Sequence, residues 1–452
     1  MHIPSQNHES GGQKHHSRPS ILPSQLYMTI PRFTLESGQT LRNVVVAFTF
    51  HGLLNRRGDN AVVICHALSG NAAIEEWWPT LMSGSNPALD PNQYCIICCN
   101  VLGSPYGSSS PLTYRDANAK AKDCYGPSFP ATTIRDDVRA HRYVLDILGV
   151  KSLHCVIGPS MGGMTALEWA LLYGQDYVRS LVLVATAAKQ GAWQIACNEN
   201  QRTSIRCDKN YRDGWYSHDK RPEAGLAAAR MAALMTYRSY GSFEERFGRR
   251  KRTAPRQIKS AENGTAKGCF GPKTTNAVTV SVSRVEEEGE KSEDEAKLSR
   301  DALPQFSVQS YLQYHGDKFN ARFDANCYVH ILDKMDTHDV SRGRCAPDLT
   351  GEDGAIGRAL ARIRQPTLVV GVPSDILYPI QEQQILFENI PNTVLGVIES
   401  RDGHDAFLIE TEQLDGLVRD FFGKLRALEL EAEARTRLES SQNSVILWAS
   451  SF

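Results

Sequence analysis

The chain has 452 residues, of which 41% are hydrophobic, enough for a sizeable core and too many for a wholly disordered polymer. Its 50 Lys and Arg nearly match its 51 Asp and Glu, giving a formal charge of −1; nucleic-acid-binding and membrane-surface proteins carry a basic excess, so neither partner is expected. A mean hydropathy of −0.36 is low for a compact enzyme, which places part of the length outside any core.

Residues 1–30, rich in His, Ser, Pro and Gln, read as a disordered arm without the apolar stretch of a secretory signal. His15 and His16 have no Cys or carboxylate at ligand spacing, so no metal site is expected there. Segments 43–50, 61–66 and 94–100 are short apolar runs bounded by turn residues and read as strands. Cys95 and Cys98 fall in the third of these and read as strand residues. Eleven cysteines, an odd number scattered along the chain, fit reduced thiols and a cytoplasmic location. Segment 132–148 places Ile134, Val138, Val144, Leu145 and Leu148 at helical spacing, with Asp136 and Asp137 in its first turn and Gly149 as its C-cap. A strand at 153–157, a helix at 164–173 and a strand at 180–185 follow. This alternation predicts a parallel sheet with helices on both faces.

After about residue 190 the pattern becomes helical. Within it, 249–300 runs from the basic cluster Arg249-Arg250-Lys251-Arg252 to an acidic stretch near 286–295, and reads as a disordered, solvated insert. Strand texture returns at 367–372 and 394–398, before a last helix at 411–434. The expected plan is an arm at 1–30, a first core part at 31–190, a helical lid at 191–355 containing the 249–300 insert, a second core part at 356–435 and a tail at 436–452. No run of about 18 apolar residues suggests a transmembrane helix, and there is no internal repeat.

The sharpest motif is Gly158-Pro159-Ser160-Met161-Gly162-Gly163, set between a predicted strand and a predicted helix. That is the context of a G-x-S-x-G nucleophile elbow, in which a tight turn lifts the serine hydroxyl clear of the backbone. A serine needs a general base, and the base needs an orienting acid. Asp375 and His404 follow in the required order, each just after a predicted strand, where open α/β sheets build their sites. An oxyanion hole would take the N–H of Met161 and a second N–H from the early loop Cys65-His66-Ala67-Leu68-Ser69-Gly70. His66 precedes the nucleophile and is read as support for that loop.

His66-Ala67-Leu68-Ser69-Gly70, Asn100-Val101-Leu102-Gly103-Ser104-Pro105-Tyr106-Gly107, the segment from Phe129 to Asp137, the elbow, Asp324-Ala325-Asn326-Cys327-Tyr328 and Asp336-Thr337-His338-Asp339 together resemble the homoserine O-acetyltransferase family. The resemblance spans roughly 33–425. It implies an α/β-hydrolase fold with a helical lid inserted between core strands, and a homodimer formed through that lid. It also implies acetyl transfer from acetyl-CoA, as co-substrate, to the hydroxyl of L-homoserine in methionine biosynthesis, with no bound cofactor or metal. By resemblance, Ser160, Asp375 and His404 match the triad and Leu68 and Met161 the oxyanion donors. Arg230 matches the arginine for the substrate carboxylate, Asp405 the acid for its amine, and Tyr237 a further lid position. Pro159 departs from the small residue expected there. Relatives that acetylate serine or a secondary-metabolite alcohol such as deacetylcephalosporin C, and serine esterases of the same fold, are the alternatives.

Overall fold

The computed structural model describes residues 22, 24–115, 124–251, 305–345 and 351–449, with side chains up to residue 431. Most of the expected arm and most of the 249–300 insert lie outside the described residues.

Eight strands form one sheet in the order β1-β2-β4-β3-β5-β6-β7-β8. They are β1 (Leu26–Thr34), β2 (Thr40–His51), β3 (Ala61–Ile64), β4 (Cys95–Cys99), β5 (Leu153–Pro159), β6 (Leu181–Val184), β7 (Thr367–Gly371) and β8 (Thr393–Val397). From β4 to β8 every pairing is parallel, whereas β1 and β2 run antiparallel at one edge, so the sheet is mixed rather than wholly parallel. The helices are α1 (Ile74–Trp77), α2 (Pro79–Met82), α3 (Ile134–Leu148), α4 (Met161–Tyr177), α5 (Ala192–Arg206), α6 (Glu223–Tyr237), α7 (Tyr240–Arg246), α8 (Ser307–Asn320), α9 (Ala325–Asp336), α10 (Gly351–Leu360), α11 (Ile380–Asn389), α12 (Ala406–Ile409) and α13 (Thr411–Ala449).

The central strands are buried on both sides because successive side chains feed opposite cores. Ala61 and Val63 join Cys95, Ile97, Val138 and Leu167 on one face, while Val62 and Ile64 join Ile96, Cys98 and Ile157 on the other. Helix α3 starts at a capping box: Thr133 Oγ1 accepts from Asp136 N–H and the Asp136 carboxylate accepts from Thr133 N–H. It ends at Gly149, whose φ of 87° is left-handed. On α13, Leu414, Val418, Phe421, Phe422 and Leu425 recur at helical spacing and close the second core. A third apolar cluster joins the sheet's C-terminal end to α5, α6, α8 and α9: Leu68, Met161 and Met164 meet Ile205, Leu226, Phe319, Phe323, Ile331 and Leu332.

Three boundaries differ from the expected plan. The arm ends before residue 26, because Leu26–Thr34 pairs along its whole length with β2 and buries Ile30 and Phe33. The 355/356 boundary cuts α10, whose Ile356, Ala359 and Leu360 pack in the sheet's own core, so this helix belongs there and not to the lid. The last helix continues to Ala449 instead of stopping at 434, and most of the expected tail is helical. Among the described residues the ten cysteines are free thiols.

Candidate active site

The elbow is built by glycines placed where a side chain has no room. A Cβ on Gly158 would lie 2.0 Å from Gly162 O, and one on Gly162 would lie 1.9 Å from Cys65 O. Between them Ser160 takes φ 56° and ψ −124°, a backbone shape that costs a non-glycine residue about 1–3 kcal/mol and persists only where surroundings enforce it. Those surroundings are hydrogen bonds: Ser160 N–H donates to Val184 O at 2.9 Å, and Thr186 Oγ1 donates to Ser160 O at 2.7 Å. Pro159 is accommodated because it closes β5, and Ser160 supplies the next donor toward β6.

The loops after β7 and β8 bring Asp375 and His404 to Ser160. His404 Nδ1 lies 2.6 Å from Asp375 Oδ2 and His404 Nε2 lies 2.9 Å from Ser160 Oγ. All three side chains are buried. Asp375 Oδ1 accepts the N–H groups of Leu377 and Tyr378 at 2.8 and 2.9 Å, so the carboxylate is held from both ends. Ser374 Oγ donates to Ser400 O and accepts from Gly403 N–H, which ties the two loops together. In this arrangement imidazole can take the serine proton while the carboxylate fixes the tautomer and stabilises the imidazolium.

Met161 N–H opens α4 and Leu68 N–H opens the turn after β3; neither donates to a protein partner among the described residues. His66 fixes the second of these. Its Nε2 accepts Val101 N–H at 3.2 Å, so its Nδ1 carries the proton and donates to Ala67 O at 2.8 Å. Gly70 N–H donates to the same oxygen. That carbonyl shares its peptide plane with Leu68 N–H, so holding one aims the other. Burial lowers the His66 pKa to about 4, which keeps the ring neutral at physiological pH.

Arg230 lies on α6, its guanidinium 5.3 Å from the Tyr237 ring and 5.1 Å from the Phe319 ring. Its Nη1 is buried and has no hydrogen-bond partner among the described residues. Tyr237 stands 5.8 Å from the His404 ring, and burial pushes its hydroxyl pKa up. Asp405 follows His404 directly and Arg238 Nε lies 3.0 Å from its Oδ2. Burial pushes the Asp405 carboxyl above its ordinary range, against the opposing pull of Arg238 and Arg230. The structure thus gathers Leu68, Ser160, Met161, Asp375, His404 and Asp405 at the sheet's C-terminal end, with Arg230 and Tyr237 supplied by α6 above them. It also gives Asp405 an arginine partner that the sequence reading did not include.

The sequence reading missed the residues that hold the lid on the core. Lys334 on α9 and Asp137 on α3 are 0% and 1% exposed and 2.6 Å apart, and Lys334 Nζ also donates to Leu102 O. Glu168 on α4, 1% exposed, is gripped by Arg135 and Arg344. Thr132 Oγ1 meets His330 Nε2 at 2.8 Å. The signal was present in the segment from Phe129 to Asp137, whose polar side chains bind buried partners.

The alpha/beta hydrolase fold family matches residues 60–277. The homoserine O-acetyltransferase of Emericella nidulans is 46% identical over 431 residues, covering 89% of this chain and 87% of that protein. That of Saccharomyces cerevisiae is 43% identical, again over 89% and 87%. Among solved structures, the homoserine O-acetyltransferase of Bacillus anthracis aligns with a TM-score of 0.68 at 22% identity, covering 88% of this chain and 96% of that one. The same fold is seen in esterase E22, with a TM-score of 0.67 at 22% identity, covering 88% of this chain and 99% of that one.

Proposed function

The chain belongs to the homoserine O-acetyltransferase family of α/β-hydrolase proteins, and from that premise we propose that it moves an acetyl group from acetyl-CoA to the hydroxyl of L-homoserine through an acetyl-Ser160 intermediate. His404, oriented by Asp375, takes the Ser160 proton as Oγ attacks the thioester carbonyl. The Leu68 and Met161 N–H groups receive the oxyanion. CoA leaves as the thiol, taking the proton from His404. The homoserine hydroxyl then gives its proton to His404 and attacks the acetyl-serine carbonyl; the bond to Ser160 Oγ breaks, Oγ takes the proton back from His404, and O-acetylhomoserine leaves, so the kinetics are ping-pong.

The observation that carries the acceptor assignment is Arg230 Nη1, buried and unpartnered among the described residues beside the His404–Tyr237 pair. An unpaired guanidinium nitrogen is costly to bury and fits a carboxylate. Asp405, with Oδ2 facing Arg238, offers its other oxygen to the acceptor amine. An amino-acid zwitterion satisfies both groups. The apolar cluster between lid and sheet helps keep water from the acetyl-enzyme, which supports transfer over hydrolysis.

CoA release from acetyl-CoA should depend on homoserine and exceed that with serine or deacetylcephalosporin C. Ser160→Ala should abolish it. A clear preference for another alcohol would overturn the acceptor, and equal release without any acceptor would make the protein a hydrolase. Arg230→Ala should raise the homoserine KM about 10- to 100-fold, the scale of a lost charge-assisted hydrogen bond; an unchanged KM would remove Arg230 from the acceptor site.

A further inference from the structure

We propose that Arg322 is a positioning residue through which the lid sets the oxyanion loop. The inference rests on the proposed roles of Ser160 and Leu68. Arg322 lies between α8 and α9, in the lid, yet its Nη1 donates to Ser69 O at 2.9 Å and to Tyr106 Oη at 2.9 Å. Ser69 is the residue after Leu68, inside the turn closed by Gly70 N–H on Ala67 O.

The turn is therefore pinned at two carbonyls. His66 and Gly70 hold Ala67 O from the core side. Arg322 holds Ser69 O from the lid side. The first pin holds the oxygen end of the peptide that carries Leu68 N–H, and the second holds the residue that follows, so the peptide plane does not swing about the Ala67 oxygen. Arg322 is itself held in place. Tyr106 is buried, its backbone carbonyl accepts from Asn100 Nδ2 at 2.9 Å, and its ring meets Phe323 edge-on. The Arg322 guanidinium also lies 5.1 Å from the Phe319 ring, the ring that carries Arg230 at the same distance. One phenyl ring is therefore shared by the proposed acceptor cation and the strut on the oxyanion loop. The core supplies both oxyanion donors, and the lid through Arg322 sets the orientation of one of them.

The test separates transition-state stabilisation from general support. Arg322→Met keeps packing on Phe319 and removes both hydrogen bonds. It should slow acylation of Ser160 by p-nitrophenyl acetate, read as the burst rate of p-nitrophenol, about 10- to 100-fold. That is less than the 10²–10³ lost when an oxyanion donor is removed outright. Affinity for a small trifluoromethyl ketone, whose serine adduct carries an oxyanion, should fall by a similar factor. The homoserine KM should stay within about twofold, as expected for an interaction made only in the transition state. Arg322→Lys, which keeps a cationic donor on a shorter reach, should restore part of the burst rate. An unchanged burst rate and ketone affinity in Arg322→Met would overturn the proposal, as would losses confined to KM or thermal stability. Should Arg322→Met fail to fold, Tyr106→Phe removes only the hydroxyl that aligns the guanidinium. A burst rate lowered several-fold at unchanged homoserine KM supports the proposal, and an unchanged rate overturns it. A wild-type protein that releases no p-nitrophenol and takes no label at Ser160 from a fluorophosphonate would instead overturn the reading of Ser160, leaving the two failures distinct.

Discussion

Gly162 shows how little freedom the reacting centre has. Its missing Cβ is what lets the elbow approach Cys65 O, and a methyl group there would sit 1.9 Å from that oxygen. Gly162→Ala must therefore push α4 away from the β3 loop and separate Met161 from Leu68. Acetyl transfer by that variant should be lost even where circular dichroism shows a folded chain; wild-type turnover would contradict this reading of the elbow. At Asp375, replacement by Asn keeps the shape but allows the wrong imidazole tautomer, and kcat should fall by about 10⁴ with the homoserine KM little changed. Both residues were legible in the sequence, because the elbow is a local motif and the acid and base follow it in a fixed order. Asp137 was not. Two acids in a helix's first turn suit the helix dipole on a solvated surface, and nothing in the spacing shows that this one is buried against a lysine almost 200 positions away.

Elements are held to one another by such pairs. Lys334 on α9 and Asp137 on α3 share a dry contact between lid and core. Lys334→Met strands a buried carboxylate and should destabilise the fold by about 3–5 kcal/mol, whereas the double variant with Asp137→Leu should recover most of that loss. Urea denaturation of the single and double variants measures the difference, and equal losses would show that the pair is not coupled. The alternation of strands and helices was readable wherever runs were apolar and continuous, as in β3–β7. Strand β1 escaped notice because Pro31 interrupts it and its two fully buried residues, Ile30 and Phe33, do not keep the period of two; its order comes from pairing with β2. The end of α13 escaped because the side chains at 426–431, just beyond Leu425, are exposed or half-buried and continue no apolar stripe.

Across the whole molecule, burial sets the response to acid. His66 and His338 are lowered to about 4, and His141 and His330 to about 3, each chiefly by desolvation. Unfolded histidines titrate near 6.5. The folded chain therefore binds fewer protons than the unfolded one, and the stability from these four neutral rings is complete above about pH 6.5. It falls as the pH drops toward the folded values, each ring contributing a slope of about 1.4 kcal/mol per pH unit between its two pKa values. Urea midpoints should drop steadily from pH 7 to pH 5, and a flat profile would show that the rings are not buried neutral.

Lys251 and Phe306 form an antiparallel bridge, and Ser307 N–H donates to Arg250 O at 2.9 Å. The described residues on either side of 252–304 are thus paired directly with one another. Added length in a flexible connector costs only about 0.6 kcal/mol for each doubling, and a bridge that clamps the two flanks keeps the register on either side. The lid therefore carries a splice point at which the length of the chain can drift while the active site is left as it was.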